Sequence, residues 1–262
     1  MKQLIVIILG LIALVVSSPA EDFRRKSEIP SSGFIAGGVD ADIADYPYQL
    51  SLRLDGEHFC GASVISGHWA LTSAICTFRW QDEVERYALK GGSSNRLEGG
   101  VVFQVAQIEV HPEWNFMTYE YDVSALRTVE NMIGGIIMAI PLDPAGTEHA
   151  HGSRAVLSGW GRVDPSNPNL PIILQRLDKP VLGQVECAAQ FMGMIRDSML
   201  CAGGESGRSA CQGDQGSPLV TGGRQIGVYS FGEVMCIGHE SGVYAKIAYP
   251  TIRSWITEVT GV

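Results

Sequence analysis

Apolar and polar side chains alternate over short runs along most of this chain. Leu50, Leu52 and Leu54 are separated by Ser51 and Arg53, and the stretches VVFQVAQIEV (101–110), RAVLSG (154–159), PLVTGG (218–223) and RQIGVYSFG (224–232) are each bounded by turn residues. A period of two sends successive side chains to opposite faces, so each run predicts a strand with one face buried. One segment follows the helical period instead. Ile252, Trp255, Ile256 and Val259 fall at i, i+3, i+4 and i+7, behind a proline at 250 that suits a first helical turn. Many short strands followed by one helix predict an all-β barrel or sandwich with a C-terminal helical brace. The 31 glycines and 12 prolines supply the turns, and 45% apolar composition over 262 residues is enough for a sizeable core.

The start of the chain is different in kind. Residues 1–20, MKQLIVIILGLIALVVSSPA, carry one early lysine, an apolar run from Leu4 to Val16 and small residues before Glu21. This pattern predicts a secretory signal peptide, the run being shorter than the roughly 20 residues a membrane span needs. Residues 21–34 are polar and charged and predict an exposed propeptide or tail, leaving 35–262 as the folded domain.

A secreted, extracellular chain meets oxidising conditions, in which six cysteines pair without remainder into three disulfides. Taking the four basic and three acidic residues of 1–34 from totals of 19 and 28 leaves 15 against 25, a net charge of −10. Nucleic acid and heparin-like partners need a positive field and are disfavoured. The expected partners are proteins or peptides, with no membrane attachment, no metal and no cofactor, since neither metal-ligand spacing nor a nucleotide loop is present.

The hexapeptide GDQGSP (213–218), preceded by Cys211 and Gln212, resembles the nucleophile loop of the chymotrypsin-like serine proteases, usually GDSGGP. Other landmarks follow in the family's order: IAGG (35–38), FCGASVIS and ALTSAIC (59–76), YDVSAL (121–126), SGWGR (158–162), YSFG (229–232) and SGVYAK (241–246). The resemblance covers 35–262 and implies two antiparallel six-stranded β-barrels with a cleft between them and a C-terminal helix. It also implies the pairs Cys60–Cys76, Cys187–Cys201 and Cys211–Cys236. Gly213 and Gln215 would offer oxyanion-hole-like N–H groups. Ser209, Ser230, Gly232 and Gly242 would line a specificity pocket with a neutral floor and open walls, suited to a large apolar side chain. Ile35 would supply an α-amino group to Asp214 after cleavage of the precursor. Phe34 precedes that point and the nearest basic residues are Arg24, Arg25 and Lys26. Either a protease preferring aromatic residues matures the chain, or it stays zymogen-like.

The resemblance fails where the chemistry is most demanding. The family needs a hydroxyl nucleophile, an imidazole to take its proton, and a carboxylate to orient the imidazole. Only the carboxylate, Asp122, remains; Ile75 stands at the histidine position and Gln215 at the serine position. In a related mechanism, loss of either serine or histidine costs about 10⁶ in turnover. Ser217 would emerge from a different point of the turn, and none of the six histidines lies next to position 75. Deprived of histidine in a buried site, Asp122 is expected to hold its proton more tightly, unless Ser230 and backbone N–H groups keep it ionised.

The sequence thus implies a secreted, catalytically inactive serine protease homologue that binds proteins as a regulator, decoy or cofactor in an extracellular protease system, resembling the non-catalytic homologues of arthropods. The alternative from fold analogy is an active endopeptidase of chymotrypsin-like preference.

Overall fold

Alternation becomes closure when each strand can pair on both sides. The computed structural model describes residues 38–164, 166–204, 209–233, 236 and 240–262. The signal peptide and tail expected over 1–34, and Ile35, lie outside the described residues. The N-terminal half contains β1 (Val39–Asp40), β2 (Gln49–Leu54), β3 (Glu57–Val64), β4 (Trp69–Thr72), β5 (Tyr87–Gly91), β6 (Val101–Val110) and β7 (Ser124–Thr128). The remainder contains β8 (Arg154–Gly159), β9 (Gln175–Pro180), α1 (Gln184–Gln190), β10 (Met199–Gly203), β11 (Pro218–Thr221), β12 (Arg224–Phe231), β13 (Ser241–Lys246) and α2 (Pro250–Thr260).

Strands β2 to β7 form a closed antiparallel barrel in the order β2-β3-β4-β7-β6-β5. Leu50, Leu52 and Leu89 are fully buried inside it with Val64, Tyr87 and Leu126. The second sheet runs β1-β9-β8-β11-β12-β13-β10. It has seven strands where six were expected, because the two-residue β1 crosses over to pair with β9. The sheet curls, and an isolated antiparallel bridge between Val181 and Ala202 joins the end of β9 to β10.

The two sheets meet through apolar and polar contacts together. Leu71, Val123 and Ala125 of the first half pack with Val228, Ala245 and Ile247 of the second, and Ile252 and Ile256 of α2 complete that cluster. Ser63 donates to Gln225 Oε1 at 2.7 Å and Ser158 donates to Gln49 Oε1 at 2.6 Å, so these buried hydroxyls and amide oxygens find partners in one another. Helix α2 has Pro250 in its first turn and ends at Gly261 in the left-handed region, φ 75°. The three disulfides pair as the resemblance implied.

Helix α1 was not expected. It has seven residues and only Cys187 is buried, so it carries no apolar stripe. The Cys187–Cys201 bridge, not amphipathic packing, ties it to β10.

Candidate functional site

The loop from Cys211 to Ser217 lies between the sheets, and its backbone is held at every turn. Asp214 N–H donates to Cys211 O, Ser217 N–H to Asp214 O, Gly216 N–H to Tyr229 O and Gly61 N–H to Gln215 O, all within 2.7–3.0 Å. Gly216 has φ +82°, and a Cβ there would stand 2.1 Å from Thr72 Oγ1, so the turn requires glycine. Asp214 is fully buried beneath it. Its Oδ1 accepts from Gly161 N–H at 2.8 Å and its Oδ2 from Cys211 N–H at 3.0 Å. Burial pushes its pKa up to about 6, opposed by those two N–H groups and the positive charge of Lys179.

Gln215 folds back on its own loop. Gly213 N–H donates to Gln215 Oε1 at 3.0 Å. Of the two N–H groups expected to form an oxyanion hole, Gly213's is therefore engaged by the Gln215 side chain. Behind it, the Gly213 carbonyl contacts His58 Nε2 at 3.0 Å, and His58 Nδ1 lies 2.7 Å from Ser51 Oγ. A carbonyl only accepts, which puts the proton on Nε2 and makes Nδ1 the acceptor from Ser51. Burial lowers the His58 pKa to about 4, so the ring is neutral and serves as a strut under the loop.

Asp122 lies at the end of the segment leading into β7 and is fully buried. Its Oδ1 accepts from Ile75 N–H at 2.8 Å and its Oδ2 from the Ser230 hydroxyl. Burial nevertheless pushes its pKa up to about 7, the bonds from Ser230, Ile75 and Ala74 acting in the opposite direction. The expectation of a more tightly held proton agrees with this site. Ile75 and Gln215 both line a cavity of 480 Å³ with Phe59, Tyr119, Leu170 and Phe231. Tyr119, at φ +57°, and Phe231 also line an adjoining apolar cavity of 320 Å³ that includes Met117 and Met194.

Ser217 is fully buried and cannot reach the cleft. A Cβ at Gly61 would stand 2.0 Å from its Oγ and one at Gly159 2.8 Å, so the hydroxyl occupies space that two glycines vacate between the sheets.

The expected specificity pocket needs correction. Gly232 and Gly242 lie against one another, but the walls they were expected to leave open are not open. The Tyr229 hydroxyl lies 2.9 Å from where a Cβ on Gly232 would be, and Tyr229 Cε2 lies 3.1 Å from the corresponding point on Gly242. The ring of Tyr229, 2% exposed, takes the room the glycines leave. Ser209 Oγ is turned onto Ala210 O at 2.9 Å. Ser230 is committed to Asp122. Sequence reasoning passed over Tyr229 and His58 because an inward tyrosine on a strand and a buried histidine each look like ordinary core positions.

Comparison with known proteins agrees with this architecture. The Trypsin family profile matches residues 35–256. The chain is 36% identical to trypsin alpha-4 of Lucilia cuprina over 228 residues, 86% of each chain. It is 35% identical to trypsin delta of Drosophila melanogaster over 228 residues, 86% of this chain and 87% of the other. With the vitellin-degrading protease of Bombyx mori it shares 32% identity over 255 residues, 96% of this chain and 91% of the other.

Proposed function

The chain belongs to the trypsin family of chymotrypsin-like serine proteases, and from that premise and the geometry of the cleft we propose that it is a secreted, non-catalytic member acting by protein binding. Its role on this reading is that of a regulator, decoy or cofactor in an extracellular protease system. The observation that carries the reading is the company Asp122 keeps. Its two oxygens are served by the Ile75 N–H and the Ser230 hydroxyl, and the residue donating that N–H carries an isoleucine side chain, packed on the first barrel's core, and no base. An aliphatic side chain moves no proton, and the Gln215 amide is no nucleophile at neutral pH. The engaged Gly213 N–H removes part of the residual catalysis that an oxyanion hole alone would give.

Protein binding is supported by the surface beside the cleft. Met117 is 83% exposed, Met194 54% and Phe116 52%; the two methionines line the adjoining cavity and Phe116 packs on Tyr119, a density of large apolar groups in water that marks contact surfaces. The expected partner is a protein rather than a polyanion, given the net charge of −9.

A second reading, an active endopeptidase, is favoured by the relatives named trypsins and a vitellin-degrading protease. A fluorophosphonate probe separates the two, because it labels only an activated serine. The secreted chain, trimmed to start at Ile35, is expected to stay unlabelled and to leave peptide substrates intact. The double variant Ile75→His, Gln215→Ser is expected to gain labelling. Stoichiometric labelling of the wild-type chain would overturn the non-catalytic reading.

A further inference from the structure

Tyr229 sits near the end of β12, where its backbone cannot swing. Its N–H donates to Ser217 O at 2.9 Å, its carbonyl accepts from Gly216 N–H at 2.8 Å, and it pairs with Tyr244 across β13. The side chain is fixed as well. Its ring meets that of Tyr244 edge-on, with centroids 5.4 Å apart at 60°, and its hydroxyl reaches toward Ala210 O at 3.5 Å. The ring therefore stands between Gly232 and Gly242, and Tyr229 and Gly232 line a pocket that also includes Gln215. What remains open there is a cavity of 160 Å³ with Tyr229 as one of its walls, against 480 Å³ for the neighbouring cleft.

Glycine on two facing walls leaves room for a bulky group, and here the bulky group is the protein's own. Ejecting the ring to admit a phenylalanine or leucine from a partner would return to water about as much apolar surface as the newcomer buries, so the exchange gains nothing. A glycine or alanine asks for no such exchange.

We propose that Tyr229 is the specificity-determining residue of this cleft: it is an internal ligand of the pocket beside Gly232 and Gly242, so that a polypeptide recognised at the cleft presents glycine or alanine at that point. The consequence for ligands rests on the reading of the cleft as a polypeptide-binding surface; the filled pocket does not.

The test is calorimetric titration of the full secreted chain with indole, a neutral aromatic probe close in size to the Tyr229 ring it would replace. Wild type, Tyr229→Phe and Tyr229→Ala are compared, since deleting a ring from a dry apolar site leaves a cavity that takes up small aromatics. Tyr229→Ala is expected to bind indole one-to-one, at least about tenfold more tightly than wild type or Tyr229→Phe, both of which keep the ring. It should also tolerate phenylalanine in an extended peptide where wild type prefers alanine. Equal affinity for indole in all three proteins, or no gain in a Tyr229→Ala chain that melts cooperatively with its disulfides intact, overturns the proposal. If Tyr229→Ala is not secreted, crystals of the wild type soaked in indole decide it: indole between Gly232 and Gly242 refutes an internal ligand, and an undisturbed Tyr229 ring there upholds it. A chain that cleaves peptides and still shows the indole pattern would sink the non-catalytic reading while leaving Tyr229 in its role.

Discussion

Replacing Asp122 by asparagine tests the electrostatics of the cleft without altering its shape. Asp122 is fully buried and its pKa is pushed from 3.8 up to about 7. A folded-state pKa above the unfolded one means that the native state binds the extra proton between these values. The group's contribution to stability is then fully present below about pH 4 and is lost as pH rises through about 7. A shift of about three units at about 1.4 kcal/mol each gives about 4 kcal/mol as the largest destabilisation expected of the ionised form. An asparagine carries no charge to desolvate. Its Oδ1 still accepts from the Ile75 N–H, and its amide nitrogen can donate to Ser230 Oγ once that hydroxyl rotates.

Denaturant unfolding of wild type and Asp122→Asn between pH 4 and pH 8 is the assay. The two proteins are expected to be nearly equal at pH 4, with the variant pulling ahead as pH rises and the gap levelling above about pH 7. Asp214, raised to about 6, titrates over part of the same range but is common to both proteins, so it cancels from the difference. A gap that stays constant from pH 4 to pH 8 would refute the reasoning, because it would mean that Asp122 does not change protonation there.

Other perturbations address the framework. Gly61→Ala should cost about 1–3 kcal/mol in thermal unfolding, because its Cβ would overlap Ser217 Oγ. Combining it with Ser217→Gly should recover part of that loss, since the Oγ and Cβ clashes go while the backbone Cα of residue 217 stays 2.9 Å away, a non-additivity that a double-mutant cycle measures. Lys90, only 4% exposed, donates through Nζ to the carbonyls of Asn95, Arg96 and Glu98 at 3.0–3.2 Å. Lys90→Met should destabilise the chain by about 1–3 kcal/mol in urea. It should also speed hydrogen exchange at the Arg96 and Leu174 amides, which join this loop to the segment carrying Leu170 on the cleft wall. If those amides keep wild-type protection, Lys90 does not organise the loop.

Much of this fold is legible because burial on one face leaves a period. The runs at 101–110 and 154–159 coincide with β6 and β8, and Ile252 and Ile256 point α2 into the core, as their spacing requires. Where that asymmetry is missing the sequence says less. All five residues of β10 are buried, so no alternation survives, and β1 is too short to have a period. Helix α1 depends on a disulfide, which spacing alone does not reveal. The nucleophile loop is readable because its glycines and Asp214 are fixed by backbone geometry. The occupancy of its cleft is not, since nothing in the letters distinguishes an inward tyrosine that lines a pocket from one that fills it.

Three side chains of the cleft have a common physical character. Ile75 packs its side chain against the first barrel's core while its N–H serves Asp122. Gln215 satisfies its amide oxygen on the Gly213 N–H. Tyr229 fills the space between two glycines. Simple truncation of a catalytic site would leave cavities and unpaired polar groups, each costing on the order of 1 kcal/mol or more. Here the Gly213 N–H and the space between Gly232 and Gly242 are instead met from within the chain. On the non-catalytic reading proposed above, Ile75→His with Gln215→Ser should therefore give only a weak enzyme, limited to small residues at the pocket. Adding Tyr229→Ala to Ile75→His, Gln215→Ser should shift its preference toward bulky apolar residues without changing the rate of fluorophosphonate labelling. Profiling both variants on peptides that differ only between alanine and phenylalanine at that position checks this. Identical preferences would mean that the ring does not govern access to the pocket.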